Sequence, residues 1–150
     1  MKIILFRPQI PQNTGNIVRT CAVTGNDLIL VRPLGFSVSN RMLKRAGLDY
    51  WEGVNVSFID DLYTYLLETT SPFFFFSSHA TKHYTQADYP EDSILIFGSE
   101  TLGLDSRYLE KWPDRFYTIP MKKESRCLNL SNAVSIVIYK AWEQQHFANR

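Results

Sequence analysis

The residues best suited to chemistry lie in one segment near the carboxyl end of the chain. Within residues 125–132 most side chains carry a hydrogen-bonding group, and they include an arginine and a cysteine. The apolar residues 133–142 follow at once and predict a helix buried in the core or in an oligomer interface, with Asn129 or Ser131 as its N-cap. A polar loop that leads directly into such a helix must lie against the interior, which is typical of a ligand site.

Three polar residues near the amino end recur at intervals of three: Asn13, Asn16 and Arg19. If this region is helical, as its pattern predicts, they line one side of its first turns. A guanidinium is a fixed fork of N–H donors that stays charged, so Arg19 is suited to hold a phosphate or a reacting oxygen. The spacing equally fits an arginine on a helix surface, and by itself it leaves both interpretations open.

A second cationic group consists of Arg41, Lys44 and Arg45, whose spacing puts them on one face of a predicted short helix. The formal net charge of the chain is only +1. A nucleic-acid partner would therefore have to be held by a local patch of this kind. A solvated helix face is the alternative interpretation of the same pattern.

Other motifs argue against several classes of enzyme. The glycines of residues 98–103 permit close approach of a ligand to the backbone, but the segment matches neither a dinucleotide-binding loop nor a Walker loop. His79 and His83 have the spacing of two metal ligands on a helix, yet they lack the sequence of a zinc protease, so no metal site is predicted. The sequence contains no Gly-x-Ser-x-Gly elbow, which argues against a hydrolase triad.

Short runs rich in Ile, Val, Leu and Phe predict strands that are buried on both faces of a sheet. They are residues 2–6, 28–31, 54–58, 73–77, 94–97 and 116–119. Helical patterns occur at residues 14–24, 40–46, 60–68 and 106–111. This alternation predicts an α/β domain with a mostly parallel sheet, in which ligands bind beyond the carboxyl ends of the strands. The polar loops at that edge are residues 7–16, 98–103 and 120–130.

The overall composition predicts one domain spanning residues 1–150, because 150 residues that are 45% hydrophobic suffice for a single core. The apolar runs are far shorter than the roughly 20 residues of a membrane span, so no membrane association is expected. The two cysteines, Cys21 and Cys127, are far apart, which favours a reducing compartment and argues against disulfides or a zinc site. Together these features predict a cytoplasmic protein.

Several segments match one known protein family in order along the chain. They are residues 10–19, 33–36, 45–50, 97–103, 119–121 and 125–134. These segments resemble the SPOUT class of S-adenosylmethionine-dependent RNA methyltransferases, and within it the small tRNA 2′-O-methyltransferases that modify the wobble nucleotide. The match covers almost the whole chain, and a joint match of so many segments is highly specific.

The resemblance implies a single SPOUT domain, in which a mostly parallel α/β sheet is flanked by helices and the C-terminal third forms a deep trefoil knot. Knots are nearly absent from other folds, so no pattern of residues predicts this one independently. The family works as a homodimer, which fits an apolar terminal helix that faces both its own core and a partner. The resemblance also implies S-adenosylmethionine as cofactor, held largely by backbone groups at Ser78, Gly98, Glu100, Ile119, Cys127 and Leu128.

The implied reaction transfers a methyl group from the cofactor's sulfonium to a ribose 2′-hydroxyl of tRNA. By the resemblance, Arg19 lies beside the ribose, positions the phosphate and stabilises the developing oxyanion, while Tyr139 lies near the target nucleotide. Arg126 is implied to contact RNA phosphate, with the second cationic group as a further RNA-binding surface. The residues expected to fix these loops by hydrogen bonds are Asn16, Asn129 and Ser131. Methylation at another RNA site and RNA binding without catalysis are the alternative functions.

The chain departs from the usual family pattern at four positions. Leu102 stands where an arginine is usual, and Trp51 stands where a histidine is common. Cys127 and Leu128 replace the commoner serine and methionine. Cofactor binding through main-chain groups is expected to survive this second change.

Overall fold

The computed structural model describes residues 1–39 and 51–149, which form a seven-stranded sheet with helices on both faces. The strands are β1 (Lys2–Phe6), β2 (Asp27–Val31), β3 (Val56–Ile59), β4 (Phe73–Phe76), β5 (Lys82–His83), β6 (Ile94–Phe97) and β7 (Phe116–Thr118). The helices with described bounds are α1 (Pro11–Thr24), α2 (Leu62–Glu68), α3 (Ser106–Lys111) and α4 (Leu130–Gln144). Short 3-10 helices lie at Tyr84–Gln86 and Pro113–Arg115.

The strands follow the order β3-β2-β1-β6-β4-β7-β5, and each described pair is parallel. This arrangement confirms the mostly parallel α/β sheet predicted from the sequence. Because the strands are parallel, all of their carboxyl ends lie at one edge, which we call the carboxyl edge. The order also puts β1 beside β6, so the loops that follow these two strands leave the sheet next to each other. The trefoil knot stays a prediction.

Side chains alternate in direction along each strand, so the sheet separates two cores. Ile3 and Leu5 face the core that contains α1 and α4. Ile4 and Phe6 face the opposite core, which contains α2 and α3. The phenylalanine run of β4 is an internal strand with three of its four rings buried. This burial explains the run without any functional role.

The described elements agree with their predicted ranges to within three residues at each end. α1 begins at Pro11, earlier than predicted, because proline suits the first position of a helix, where no N–H donor is needed. The predicted helix at residues 40–46 lies outside the described residues. Strand β5 was not predicted; it contains His83, while His79 lies in a turn, so these histidines share no helix face.

None of the helices in the described ranges is both long enough and apolar enough to span a membrane.

Candidate active site at the carboxyl edge

Glu100 joins the loop after β6 to the loop after β1. Its Oε2 accepts a hydrogen bond from the backbone N–H of Gln9 at 2.8 Å, and its Oε1 accepts one from Ile10 at 3.1 Å. Ile10 is the N-cap of α1 and caps the helix with no side-chain hydrogen bond of its own. A carboxylate from 90 residues further along the chain therefore accepts hydrogen bonds at this helix end, where the helix dipole also favours a negative charge.

Two asparagines extend these contacts to the third loop. Asn13 Nδ2 donates to Glu100 Oε1 at 3.3 Å, and Asn129 Nδ2 donates to Asn13 Oδ1 at 2.9 Å. The Oδ1 atom of Asn129 in turn accepts hydrogen bonds from the backbone N–H and the hydroxyl of Ser131, at 2.9 and 2.6 Å. Asn129 is thus the N-cap of α4, which decides between the two predicted caps. We call the chain Glu100–Asn13–Asn129 the loop relay, because it connects all three polar loops.

The expected scaffolding role of Asn129 and Ser131 is therefore confirmed by their hydrogen bonds. Asn16 contributes its backbone carbonyl, which accepts from the Thr20 hydroxyl at 3.2 Å within α1. The sequence singled out Asn13 only for its spacing from Asn16 and Arg19. Its contact with Asn129 spans 116 residues, so no local pattern could have revealed it.

The loop after β6 is a tight turn closed by its own backbone. Ser99 and Gly103 exchange N–H···O hydrogen bonds of 3.1 and 3.0 Å. A Cβ atom added to Gly98 would lie 2.5 Å from the carbonyl carbon of Gly103, so only glycine fits there. Gly103 itself has a φ of +66°, a left-handed conformation that also favours glycine. Leu102, at the tip of this turn, is 86% exposed.

A cleft of about 350 Å³ lies at the carboxyl ends of β4 and β7. We call it the cofactor cleft, after the cofactor-binding residues that the sequence predicts there. Ser78 and Ile119, two of the predicted cofactor residues, line it. A third, Cys127, places its Sγ 3.8 Å from Ser78 Oγ. The further lining residues include Thr118, Met121 and Lys122. The volume lies within the range of about 300–1,000 Å³ typical of small-ligand sites, and the mixture of hydroxyl and apolar groups fits an adenosine-like ligand.

The predicted catalytic residues lie on a pair of helices beside the loops. α1 and α4 run in the same direction, because Asn13 contacts Asn129 at one end and Thr20 Oγ1 lies 3.1 Å from Ser135 Oγ further along. With a rise of about 1.5 Å per residue, Arg19 lies about 9 Å beyond Asn13 along α1. By the same measure Tyr139 lies about 15 Å beyond Asn129 along α4. Both residues are exposed, and each lies further along its helix than the asparagine of the loop relay.

α4 is less buried than its apolar sequence predicts for a helix covered on every side. Val134, Val137 and Ile138 are buried against the core, as predicted. Ile136 and Tyr139 point away from it and are 36% and 46% exposed. A single copy of the chain therefore leaves one apolar face of this helix open.

The segment before α4 is cationic and exposed. Residues 121–129 are all exposed, and they include Arg126, Lys122 and Lys123, as well as Leu128 of the predicted cofactor set. Ser125 Oγ donates to the Lys122 carbonyl at 2.6 Å, which closes a turn next to the cofactor cleft. The remaining predicted RNA-binding residues, Arg41, Lys44 and Arg45, lie outside the described residues.

The two cysteines occupy opposite environments. Cys21 is buried in the core against α4, and burial raises the pKa of its thiol to about 12. Cys127 is exposed and lies beside Ser78. Of these two thiols, only that of Cys127 is placed to meet a ligand.

Within residues 1–39 and 51–149, no group of three or more His, Cys, Asp or Glu residues is arranged to hold a metal ion.

Comparisons with known proteins show which family and which solved structures the chain is similar to. Residues 1–139 match the model of the SpoU rRNA Methylase family. A tRNA (cytidine(34)-2′-O)-methyltransferase of Escherichia coli (strain K12) is 42% identical over 147 residues, which cover 96% of this chain and 93% of that protein. A solved structure described by the words "2-OH methylation of C/U34 on tRNA" has a TM-score of 0.88 at 38% identity, covering 97% of this chain and 90% of that one.

A more distant structure supports the fold alone. The SpoU methyltransferase AviRb of Streptomyces viridochromogenes, solved in complex with the cofactor AdoMet, has a TM-score of 0.85 at 21% identity. The similarity covers 100% of this chain and 59% of that one.

Proposed function

The chain belongs to the SpoU rRNA methylase family, and we propose that it methylates the ribose 2′-hydroxyl of nucleotide 34, the wobble nucleotide of tRNA, with S-adenosylmethionine as methyl donor. The nucleotide is a cytidine or a modified uridine. The observation that carries the proposal is the nearly full-length identity to an enzyme that acts on cytidine 34. The loop relay supports it, because it joins the three polar loops at the carboxyl edge, where the cofactor cleft also opens.

In this reaction the protein mainly has to align the reacting groups and stabilise the charge that develops. S-adenosylmethionine supplies a methyl group that is already activated, so the protein must orient a poor nucleophile and ease the loss of its proton. A bond forms between the 2′-oxygen and the methyl carbon as the bond from that carbon to sulfur breaks. The hydroxyl proton leaves to water, and S-adenosylhomocysteine is released. Arg19 holds the adjacent phosphate and stabilises the oxyanion, and Tyr139 contacts the target nucleotide.

The cofactor positions divide into two groups. Ser78 and Ile119 line the cofactor cleft, and Cys127 lies beside it, with its Sγ 3.8 Å from Ser78 Oγ. Gly98 and Glu100 contribute main-chain groups, because the Glu100 carboxylate already accepts hydrogen bonds from the loop after β1. Leu128 adds apolar contact from the exposed segment before α4.

A homodimer would cover the open face of the helix pair. Val23 on α1 is 56% exposed, and Ile136 and Tyr139 on α4 are also exposed. Apolar side chains on two adjacent helices form a surface that a second copy can cover with its own equivalent surface in a twofold arrangement. Such an interface also places Tyr139 at the junction of the two copies.

The oligomeric state tests this arrangement directly. We expect Ile136→Asp to convert a dimer into a monomer in sedimentation equilibrium, because a charge in an apolar interface is strongly unfavourable. Leu67→Asp is the matched control, since Leu67 is 55% exposed on α2 at the opposite face of the sheet. A wild-type protein that sediments as a monomer would contradict the dimer.

RNA binding is assigned to two cationic groups of the sequence. Arg126 lies in the exposed segment beside the cofactor cleft, and Arg41, Lys44 and Arg45 form the second group. Neutralising the latter three together is expected to weaken tRNA binding and to reduce the slope of its salt dependence by up to about 3, since each phosphate contact contributes nearly one unit. An unchanged slope would show that this group does not contact phosphate. The proposal includes a cytoplasmic location, where tRNA is available as substrate.

The decisive experiment incubates the purified protein with S-adenosylmethionine and unmodified or cellular tRNA, followed by mass spectrometry of the nucleosides. We expect 2′-O-methylcytidine or a 2′-O-methylated uridine derivative at position 34. Ribosomal RNA in a parallel reaction serves as the comparison. Methylation of ribosomal RNA alone would show that the substrate is not tRNA. RNA binding without methylation would show that the protein binds RNA without catalysis.

A further inference from the structure

A second cleft, of about 750 Å³, opens at the carboxyl ends of β1, β2 and β3. It lies on the opposite side of the Glu100–Gln9 contact from the cofactor cleft, because the sheet order places β2 and β3 beyond β1. Its lining residues include Arg7, Arg32, Leu34, Phe36, Phe58 and Asp60. Neither the predicted catalytic residues nor the predicted cofactor residues contribute to it.

We propose that this second cleft binds one unpaired nucleobase of the RNA loop that carries the methylated nucleotide. The proposal rests on the proposed function, since the occupant is part of the same substrate. It adds a subsite that recognises a nucleotide other than the one that reacts.

Arg32 forms the platform for this base. Its Nε and one terminal nitrogen donate to the two carboxylate oxygens of Asp60, at 2.8 and 3.3 Å. Its guanidinium carbon lies 5.6 Å from the centre of the Phe58 ring. These two contacts hold a planar, charged group in place before any ligand arrives, while 51% of the side chain stays exposed. Unstacked RNA bases bind to guanidinium planes and aromatic rings of this kind.

The other lining residues match a nucleotide in shape and charge. Leu34 and Phe36 add apolar surface against which a base packs. Among the residues that the structure describes, the charged groups lining the cleft are two arginines and one aspartate, a positive balance that suits a polyanionic strand. Asp60 engages two of the five N–H donors of Arg32, which leaves three for a base edge or a phosphate.

The backbone connects the second cleft to the active site. The N–H of Gly35, in the cleft wall, donates to the Pro8 carbonyl at 2.9 Å. A Cβ at Gly35 would approach Gln9 to 2.4 Å, so the wall lies directly against the loop after β1. Gln9 in turn donates to Glu100. A base held in the cleft is therefore positioned relative to the loop relay, and so to the reacting ribose.

The test combines protein variants with altered RNA. An anticodon stem–loop RNA is prepared intact and with each loop nucleotide other than the reacting one replaced, one at a time, by an abasic residue. Binding to the full-length protein is measured by fluorescence anisotropy in the presence of S-adenosylhomocysteine. Arg32→Lys keeps the charge but removes the planar fork, and Phe36→Leu is a second variant of the same cleft. Arg115→Lys is the control, because Arg115 stacks on Phe73 at 4.1 Å, at the amino ends of the strands.

Arg32→Lys is expected to weaken binding of the intact RNA about tenfold, at the low end of what one base stack contributes. For wild-type protein, one of the abasic RNAs should bind more weakly than the intact RNA by a similar factor. The Arg32→Lys variant should bind that abasic RNA and the intact RNA equally well. Losses that add at every position, or an Arg32→Lys effect equal to that of Arg115→Lys, would overturn the proposal while leaving the proposed function intact. A wild-type protein that binds S-adenosylhomocysteine but no RNA would overturn both.

Discussion

Side-chain hydrogen bonds join distant segments at both edges of the parallel sheet: Gln144 of α4 contacts Ala87 and Tyr89 at the amino edge, and the loop relay joins the three polar loops at the carboxyl edge. At the amino edge, main-chain hydrogen bonds extend the strand ladders, such as Lys2 N–H to the Ser93 carbonyl at 3.0 Å and Ile94 N–H to the Pro72 carbonyl at 2.9 Å. At the carboxyl edge, the loop relay adds side-chain contacts between distant segments. Breaking the loop relay disturbs the candidate site, whereas a substitution at the amino edge affects only stability. Matched substitutions at the two edges should therefore separate function from stability.

The largest expected effect is that of Arg19→Ala on the chemical step. If Arg19 stabilises the oxyanion, its removal should lower the single-turnover rate of tRNA methylation by about 10²- to 10³-fold, as for other oxyanion donors. Calorimetry should show unchanged affinity for S-adenosylmethionine. Arg115→Ala, at the amino edge, is the control and should leave the rate unchanged. A strong loss of cofactor binding in Arg19→Ala would show that its role is misassigned.

Alanine substitutions at two glycines, Gly98 and Gly25, compare the backbone at the two edges. Gly98→Ala places a Cβ 2.5 Å from the Gly103 backbone, so the loop after β6 must shift. We expect at least a tenfold loss of S-adenosylmethionine affinity, measured by calorimetry. Gly25→Ala, at the amino edge, meets no atom within 4 Å but must adopt a φ of +67°. That change should lower the free energy of unfolding by about 1 kcal/mol and leave cofactor affinity unaltered. Equal losses of affinity in both variants would contradict the distinction between the edges.

Asn129→Ala breaks the loop relay itself. It removes the N-cap of α4, which typically contributes about 1 kcal/mol, and leaves the buried Asn13 amide without its Asn129 partner, a penalty of about 1–3 kcal/mol. Denaturant unfolding should show a loss of about 2–4 kcal/mol, and methylation should slow about tenfold.

The control is Ser93→Ala, which removes a buried hydroxyl that donates to the Pro90 carbonyl at 2.6 Å at the amino edge. It should destabilise the protein by about 1 kcal/mol with no change in turnover. If both variants retain full activity, the relay serves stability alone.

The prediction with the smallest expected effect on function concerns the reactivity of the two thiols. With a pKa of about 12, roughly one Cys21 thiol in ten thousand is ionised at pH 8, and the thiolate is the reactive form. A disulfide reagent should therefore modify Cys127 within minutes and leave Cys21 intact until the protein unfolds, as followed by absorbance. Bound S-adenosylhomocysteine should slow the reaction of Cys127. If bound S-adenosylhomocysteine leaves the rate of Cys127 modification unchanged, this residue does not lie against the bound cofactor.

Hydrophobic runs were sufficient to predict most of the described fold. Strand β4 and helix α3 were predicted to within one residue because burial on both faces of a strand and helical periodicity are local properties of the chain. Strand β5 was missed, because two residues, Lys82 and His83, carry no hydrophobic pattern and exist as a strand only through pairing with β7. The second cleft was missed for a related reason, since Arg32 and Asp60 belong to different loops.

The α/β architecture, the family and the three loops can be recognised from the amino-acid sequence, because each follows from neighbouring residues or from motifs in order. Only the tertiary structure decided how those loops meet. Glu100 caps a helix 90 residues away, and Asn129 reaches Asn13 across 116 residues. It also decided that Ile136 and Tyr139 face outward from an apolar helix. The physical reason is that burial and hydrogen-bond partners depend on which distant segments the sheet order brings together, and no local pattern encodes that order.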